Sequence, residues 1–456
     1  MKRKTILLAI ILALGTYAMT QNALYMLPEI TTKVSLIREY EPGIDVVYNN
    51  NGSLQSFLYI DRIGGLALEA QSPYPIQVTD MEIYNETLYF CGHLTGSTNT
   101  NFVGFFDIND LFFGSHQATI LPVLYNPVDT VNGIPIQGGF VLSKLEVYKV
   151  PGLSIDETHI YMIGDVTFNS SETTDYSCLL DMMYLGASWT YDMAYEPDRV
   201  YYFNDLTVTD SFLVVVGNKH GGEGEYLHGY YLPPFASQHT LNNTLYVGGG
   251  LNIQYWFTNS WEYHPISKPL IETLTGDAFA TACYGKWQDN PGVIVSWYST
   301  YGTIVKRYFV PNITGTSEFK DLKYNDISDN LYLMPDHQNS VAIDEFYGFK
   351  LGAGTCNVYH SALQEQHSLD RFVGGLDVLS SGSLDYHLAI LKYETTEFDC
   401  VKSVELPVTE SKEPPHCAVF VHDITPSMVN PIYISPTIKE FNLEKFCGDE
   451  TFKQQQ

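Results

Sequence analysis

A short pattern of residues recurs along this chain, and it leaves few folds open. A polar turn leads into an apolar strand of about five residues that stops at glycine; a loop follows, then a second apolar strand. Tyr84-Asn85-Glu86-Thr87-Leu88-Tyr89-Phe90-Cys91-Gly92 is one copy, with its return strand at 102–107. Asp156-Glu157-Thr158-His159-Ile160-Tyr161-Met162-Ile163-Gly164 is another, and Thr209-Asp210-Ser211-Phe212-Leu213-Val214-Val215-Val216-Gly217 a third. Weaker copies end at Gly285, Pro335 and Gly374. Each unit reads as a hairpin, because Asp and Asn bond their own backbone in tight turns. The glycine is expected to supply a positive φ at the strand exit. Runs such as Leu213-Val214-Val215-Val216 are apolar at successive positions, so these strands are expected to be buried on both faces, as stacked sheets require.

The spacing between units runs from 39 to 72 residues, irregular but centred near the length of a four-stranded propeller blade with variable loops. A fragment at 44–48 and 57–61 looks like part of one more unit, and the stretch Leu245-Tyr246-Val247-Gly248-Gly249-Gly250 could head another. The expected fold is therefore all-β: a single β-propeller of about seven blades, with six or eight as alternatives. Strands at 418–421 and 432–434 are expected to complete the first blade and close the ring. Composition agrees with β structure, since 34 Tyr and 24 Phe stand against only 24 Lys plus Arg.

In its polar turn, glycine-ended strand, loop and aromatic-rich return strand, the unit resembles the blades of kelch-like and related bacterial seven-bladed propellers over roughly residues 40–437. The paired glycines and spaced Tyr and Trp of a kelch blade are not kept from unit to unit, and no Trp-Asp ending marks a WD repeat. The resemblance implies architecture and a binding role, and it carries over no functional residue.

Met1-Lys2-Arg3-Lys4 followed by the apolar run 6–14 reads as a secretory signal peptide, with cleavage expected before Gln21 or after Ala18. The run is too short to span a bilayer, and no later stretch is longer, so no integral span is expected after cleavage. The resulting division is a signal peptide over 1–20, an N-terminal segment over 21–39, the propeller over 40–437 and a tail over 438–456. The expected location is secreted, periplasmic or cell-surface. Without the leader, 21 Lys plus Arg face 52 Asp plus Glu, a net charge of −31. Nucleic acid is a poor partner for such a surface, whereas clustered carboxylates would suit a cation such as Ca2+. Asp107-Ile108-Asn109-Asp110 is not an EF-hand loop, for it lacks the glycine and terminal glutamate at the required spacing.

None of the seven cysteines forms a CxxC pair, which leaves zinc and redox motifs unsupported. Cys400 and Cys417 close the shortest loop of the late cluster and are the candidate disulfide, while Cys91 and Cys283 sit inside apolar strands as small core residues. GxSxG and HExxH are absent, and Gly221-Gly222-Glu223-Gly224-Glu225 would repel phosphate with its two carboxylates. No catalytic residue is assigned. The residue after each strand-ending position is polar in most copies: His93, Asp165, Asn218, Lys286 and Asp336, with Trp287 beside Lys286 as an aromatic platform. Equivalent units would gather these six on one face of the ring. The leading functional expectation is a binding protein for a glycan or a surface protein at the cell exterior. The alternative is an extracellular propeller hydrolase or lyase whose acids and bases come from separate blades.

Overall fold

The computed structural model describes strands and tight turns between residues 23 and 448; it leaves aside 1–22, 233–262, 336–356, 395–403, 406–419, 423–430, 449–456 and the short connections between strands. The described part is all-β, with one six-residue helix, Ile108–Phe113. Every strand pairing is antiparallel, and apart from a small ribbon (Thr130–Val131 with Ile134–Pro135) the strands form seven sheets in chain order.

Val34–Glu41, Ile44–Asn50, Gln55–Asp61 and Leu66–Gln71 build the first sheet; Ile76–Tyr84, Thr87–Leu94, Thr100–Asp107 and Ala118–Val123 build the second. Phe140–Lys149, Glu157–Thr167, Asp175–Leu185 and Ser188–Tyr195 form the third, and Tyr201–Val208, Phe212–Lys219 and Glu225–Tyr231 the fourth. In the fifth, two short segments, Tyr263–Pro265 and Leu270–Thr273, share the first-strand position beside Phe279–Trp287, Asn290–Tyr298 and Ile304–Pro311. The sixth is described as Phe319–Asn325 with Asn330–Pro335. The seventh joins Asn357–Gln366, Arg371–Leu379 and Tyr386–Glu394 to the N-terminal strand Ala23–Leu27.

The second, third and fourth sheets bury both faces, which explains the unbroken apolar runs. Leu213 and Val215 pack into one core with Tyr161, Ile163, Leu179 and Phe203, while Val214 and Val216 pack into the next with Ile271, Phe279 and Tyr298. Successive strand residues point to opposite faces, so this run serves two cores at once. An aromatic core between the first two sheets holds Tyr48, Phe57, Phe90, Phe102 and Phe106, with the Phe57 and Phe90 ring centroids 4.9 Å apart.

The first strand of nearly every sheet carries a register shift at an equivalent place: Val34/Leu36, Val78/Asp80, Leu142/Lys144, Phe203/Asp205, Phe319/Asp321 and His360/Ala362. The strand-ending glycines lie opposite these bulges, as the pairs Val78↔Gly92, Leu142↔Gly164 and Phe203↔Gly217 show. This corrects the expected reason for the glycine. Gly92 does not have a positive φ; a Cβ there would collide with the Gln77 carbonyl oxygen. Close backbone approach at the bulge, not turn geometry, demands it. Positive φ occurs instead in the hairpin turn at Asn85 (46°) and Glu86 (61°).

The C-terminal segment also departs from expectation. Phe420–His422 pairs with Ser188–Tyr195 of the third sheet and Ile432–Ile434 with Ala118–Val123 of the second, so neither completes the first sheet. Four local strands already fill that sheet, which leaves the tail only outer edges to pair with. The tail meets the fifth sheet at Val404–Glu405, then the third and second, then the first at Thr437–Asn442 and the seventh at Glu444–Gly448. It is a strap that runs past the sheets against their chain order. The candidate eighth unit near 245–250 and the signal peptide over 1–20 lie outside the described residues.

Candidate functional site

The second strands of the second, third, fourth and fifth sheets position the polar residues singled out in the sequence. His93 pairs with Gln77 and Asn101, Asp165 with Val141 and Ser177, Asn218 with Tyr202 and Glu225, and Lys286 with His264 and Pro291. All four occupy one register position, directly after the glycine that faces the first-strand bulge or break; Trp287 follows at the strand end, opposite Asn290. Asp336 lies just outside the described residues, after Pro335, and the side chains of Asn218, Lys286 and Trp287 are likewise outside them.

The two described side chains behave differently. Asp165 is half-buried and accepts a hydrogen bond from the Ser177 hydroxyl at 3.2 Å; the Ser177 oxygen in turn accepts from the Phe203 N–H at 3.0 Å. His93 is half-buried, and its Nδ1 is enclosed with no hydrogen-bond partner among the described residues. Burial lowers its pKa from the ordinary histidine range, which favours the neutral ring.

A stronger polar cluster, not singled out in the sequence, sits at the other end of the third sheet's second strand. His159 is fully buried between two carboxylates: Nδ1 lies 2.9 Å from Asp181 and Nε2 3.0 Å from Glu157. Tyr161 stacks on the imidazole with centroids 5.6 Å apart. Burial alone would lower the His159 pKa, but the Asp181 and Glu157 carboxylates override it and raise it to about 9. The ring is therefore an imidazolium that donates from both nitrogens. With no lone pair available and no exposed edge, it holds strands together and cannot serve as a general base.

The first-strand bulges carry a second set of buried charges. Asp80 accepts from Arg38 Nη2 of the first sheet and from the Leu145 N–H of the third, both at 3.1 Å, so one carboxylate ties three sheets. Asp205 repeats the device, accepting from the Ile271 N–H of the fifth sheet at 3.0 Å with Lys144 Nζ at 3.9 Å. Hydroxyls at the bulge itself, Thr79 and Ser143, donate to the carbonyls of Cys91 and Ile163 at 3.3 and 3.2 Å. The sequence signal was present as the recurring Val78-Thr79-Asp80-Met81, Leu142-Ser143-Lys144-Leu145, Phe203-Asn204-Asp205-Leu206 and Phe319-Lys320-Asp321-Leu322.

Asp107 and Asp110 have a local task. Asp107 caps the short helix by accepting from the Asp110 N–H at 2.8 Å, and Asp110 accepts from Ser115, which lowers its pKa. Among the described residues no group of three or more His, Cys, Asp or Glu is arranged to hold a metal ion. Cys91, Cys178 and Cys283 are buried, with burial first among the causes that push Cys91 up to about 12. Cys400 and Cys417 lie outside the described residues. No protein-family model matches this chain, and no curated protein matches it in sequence.

Proposed function

We propose that this chain is an exported seven-bladed β-propeller that binds a glycan or a protein at the cell exterior through the second-strand ends of its blades. The carrying observation is the order of first-strand contacts. The first strand of the first sheet touches that of the second, and so on through the third, fourth, fifth, sixth and seventh; the seventh's then touches the first's. A chain of contacts that returns to its start is what a ring of blades requires, and the N-terminal strand within the last sheet suits such a closure. The leader at 1–20 and the acidic balance support export, and the kelch-like resemblance belongs to the same reading.

Binding is favoured over acid–base chemistry because the strongest charged cluster, around His159, is sealed and saturated. The strand ends carrying His93, Asp165, Asn218, Lys286 and Trp287 instead sit on rigid, doubly buried strands, which suits fixed recognition groups. The test is an array of immobilised glycans, with capture of surface proteins in parallel, comparing the unaltered chain with Trp287→Ala. Binding weakened by about 1 to 3 kcal/mol with an unchanged melting temperature is expected of an anchor residue. Equal binding by both forms would reject this face as the binding site.

A further inference from the structure

The first two sheets also meet at the strand ends away from His93. Glu41 and Asp61 lie on either side of Ile44 in the first sheet, and Thr87 faces Asp107 in the second, at the other end of Thr87–Leu94 from His93. The short helix Ile108–Phe113 closes this end. Its Ile108 N–H donates to the Glu86 carbonyl at 2.9 Å, and Asn109 Nδ2 donates to the Tyr40 hydroxyl oxygen at 2.8 Å.

Tyr59 stands at the centre. It is only 7% exposed, and its ring packs on Phe112 and, perpendicular with centroids 5.1 Å apart, on Phe113. Its hydroxyl nevertheless makes no hydrogen bond among the described residues, and it is not one of their enclosed polar atoms, so a buried side chain brings an unmet polar tip to the surface. Beside it the Phe113 ring is 55% exposed. Burial and then the Asp61 and Glu41 carboxylates raise the Tyr59 pKa. Burial, opposed by the Asn109 hydrogen bond, and then Glu86, Glu41 and Asp107 raise that of Tyr40. Each described charge that acts on either hydroxyl is therefore negative, and Glu41, Glu86 and Asp107 are exposed.

These carboxylates do not form a metal site, for among the described residues no group of three or more His, Cys, Asp or Glu is so arranged. An exposed ring, an unmet phenol oxygen and spread carboxylates suit an organic cation on an apolar stem, which can lie on the ring while its N–H groups donate to the oxygens. With the ring more than half exposed, a segment laid across the surface fits better than a small amine enclosed by it. We propose that this end of the first two sheets is a second binding surface, separate from the second-strand ends, for a lysine- or arginine-bearing segment of a partner protein, with its cation donating to Tyr59 and Glu41 and its stem on Phe113.

Calorimetric titration of the full-length chain with a pentaarginine peptide tests this, at about 0.15 M salt so that charges beyond about 8 Å are screened. The unaltered chain should bind pentaarginine and not pentaglutamate, and the peptide should slow hydrogen exchange at 108–116. Tyr59→Phe and Phe113→Ala leave the net charge unchanged. They should weaken binding by about tenfold and by about two- to fivefold, respectively. Tyr59→Phe should melt with the unaltered chain. Absence of pentaarginine binding would overturn the proposal, and so would equal binding by all three forms, which would assign the association to overall negative charge. A lower melting temperature of Tyr59→Phe would also overturn it, since the hydroxyl would then already serve a partner within the chain.

Discussion

Neighbouring sheets are held at their seams by buried side chains that bond backbone, whereas the outer edges are held by backbone ladders, with Ile434 turned into the core and most other strap side chains exposed. At the seam between the first and second sheets, the Tyr48 hydroxyl donates to the Ile76 carbonyl at 2.9 Å and accepts from the Val78 N–H at 3.1 Å. At the edge, Tyr433 of the strap is 66% exposed and Ile432 42% exposed. The contrast teaches where this fold keeps its specificity. A seam residue fixes how one sheet sits on the next; an edge residue fixes only whether a strand is added.

The largest expected effect comes from breaking a seam. Asp80→Ala would remove the carboxylate shared by Arg38 and the Leu145 N–H, an expected loss of about 3 kcal/mol in urea denaturation, the low end for a broken buried pair because Glu82 still lies 3.7 Å from Arg38. Asp80→Asn, which keeps one acceptor but no charge, should cost less; equal costs would make the charge the whole effect, and an Asn variant as stable as the unaltered chain would remove charge from the explanation. Gly92→Ala should follow, at about 1 to 3 kcal/mol for the collision with the Gln77 carbonyl. A neutral result there would mean the bulge relaxes freely.

Of comparable size is the pH response of His159, whose folded pKa is raised. Its contribution is complete below the ordinary histidine pKa of about 6.5 and is lost as pH rises through about 9. Chemical denaturation from pH 6 to 10 should show this decline in the unaltered chain and a flatter profile in His159→Gln. Glu86→Gly relieves a left-handed residue in the second sheet's hairpin and should stabilise by up to about 1 kcal/mol in the same assay. Tyr433→Ala, at the exposed edge, should shift stability by less than about 0.5 kcal/mol, and a larger loss would blur the line between edge and seam.

The all-β class and the placement of the second strands were legible, because a polar turn, an apolar run and a glycine mark them from Thr87 to Gly92 and from Phe212 to Gly217. The reason for the glycine was not legible. It depends on a bulge in the preceding strand, whose only trace is a polar pair such as Thr79-Asp80 inside an apolar run, and that pair looks like ordinary alternation. Asp80 and Asp205 escaped notice for the same reason: their partners, Leu145 and Ile271, are about 65 residues away and contribute only backbone. The strap was misplaced because the tail was expected to complete the first sheet, whose four strands are all local, while 432–434 pairs with 118–120 on the outer edge of the second.

Ring closure is tested most directly by the distance between the first strands of the first and seventh sheets. Spin labels at Glu41 and Gln366, near the ends of Val34–Glu41 and Asn357–Gln366, join sites more than three hundred residues apart in sequence. A closed ring predicts one narrow pulsed-resonance distance distribution within about 25 Å, the roughly 10 Å spacing of packed sheets plus the label arms. A broad distribution centred well beyond that distance would mean that the sheets form an open arc.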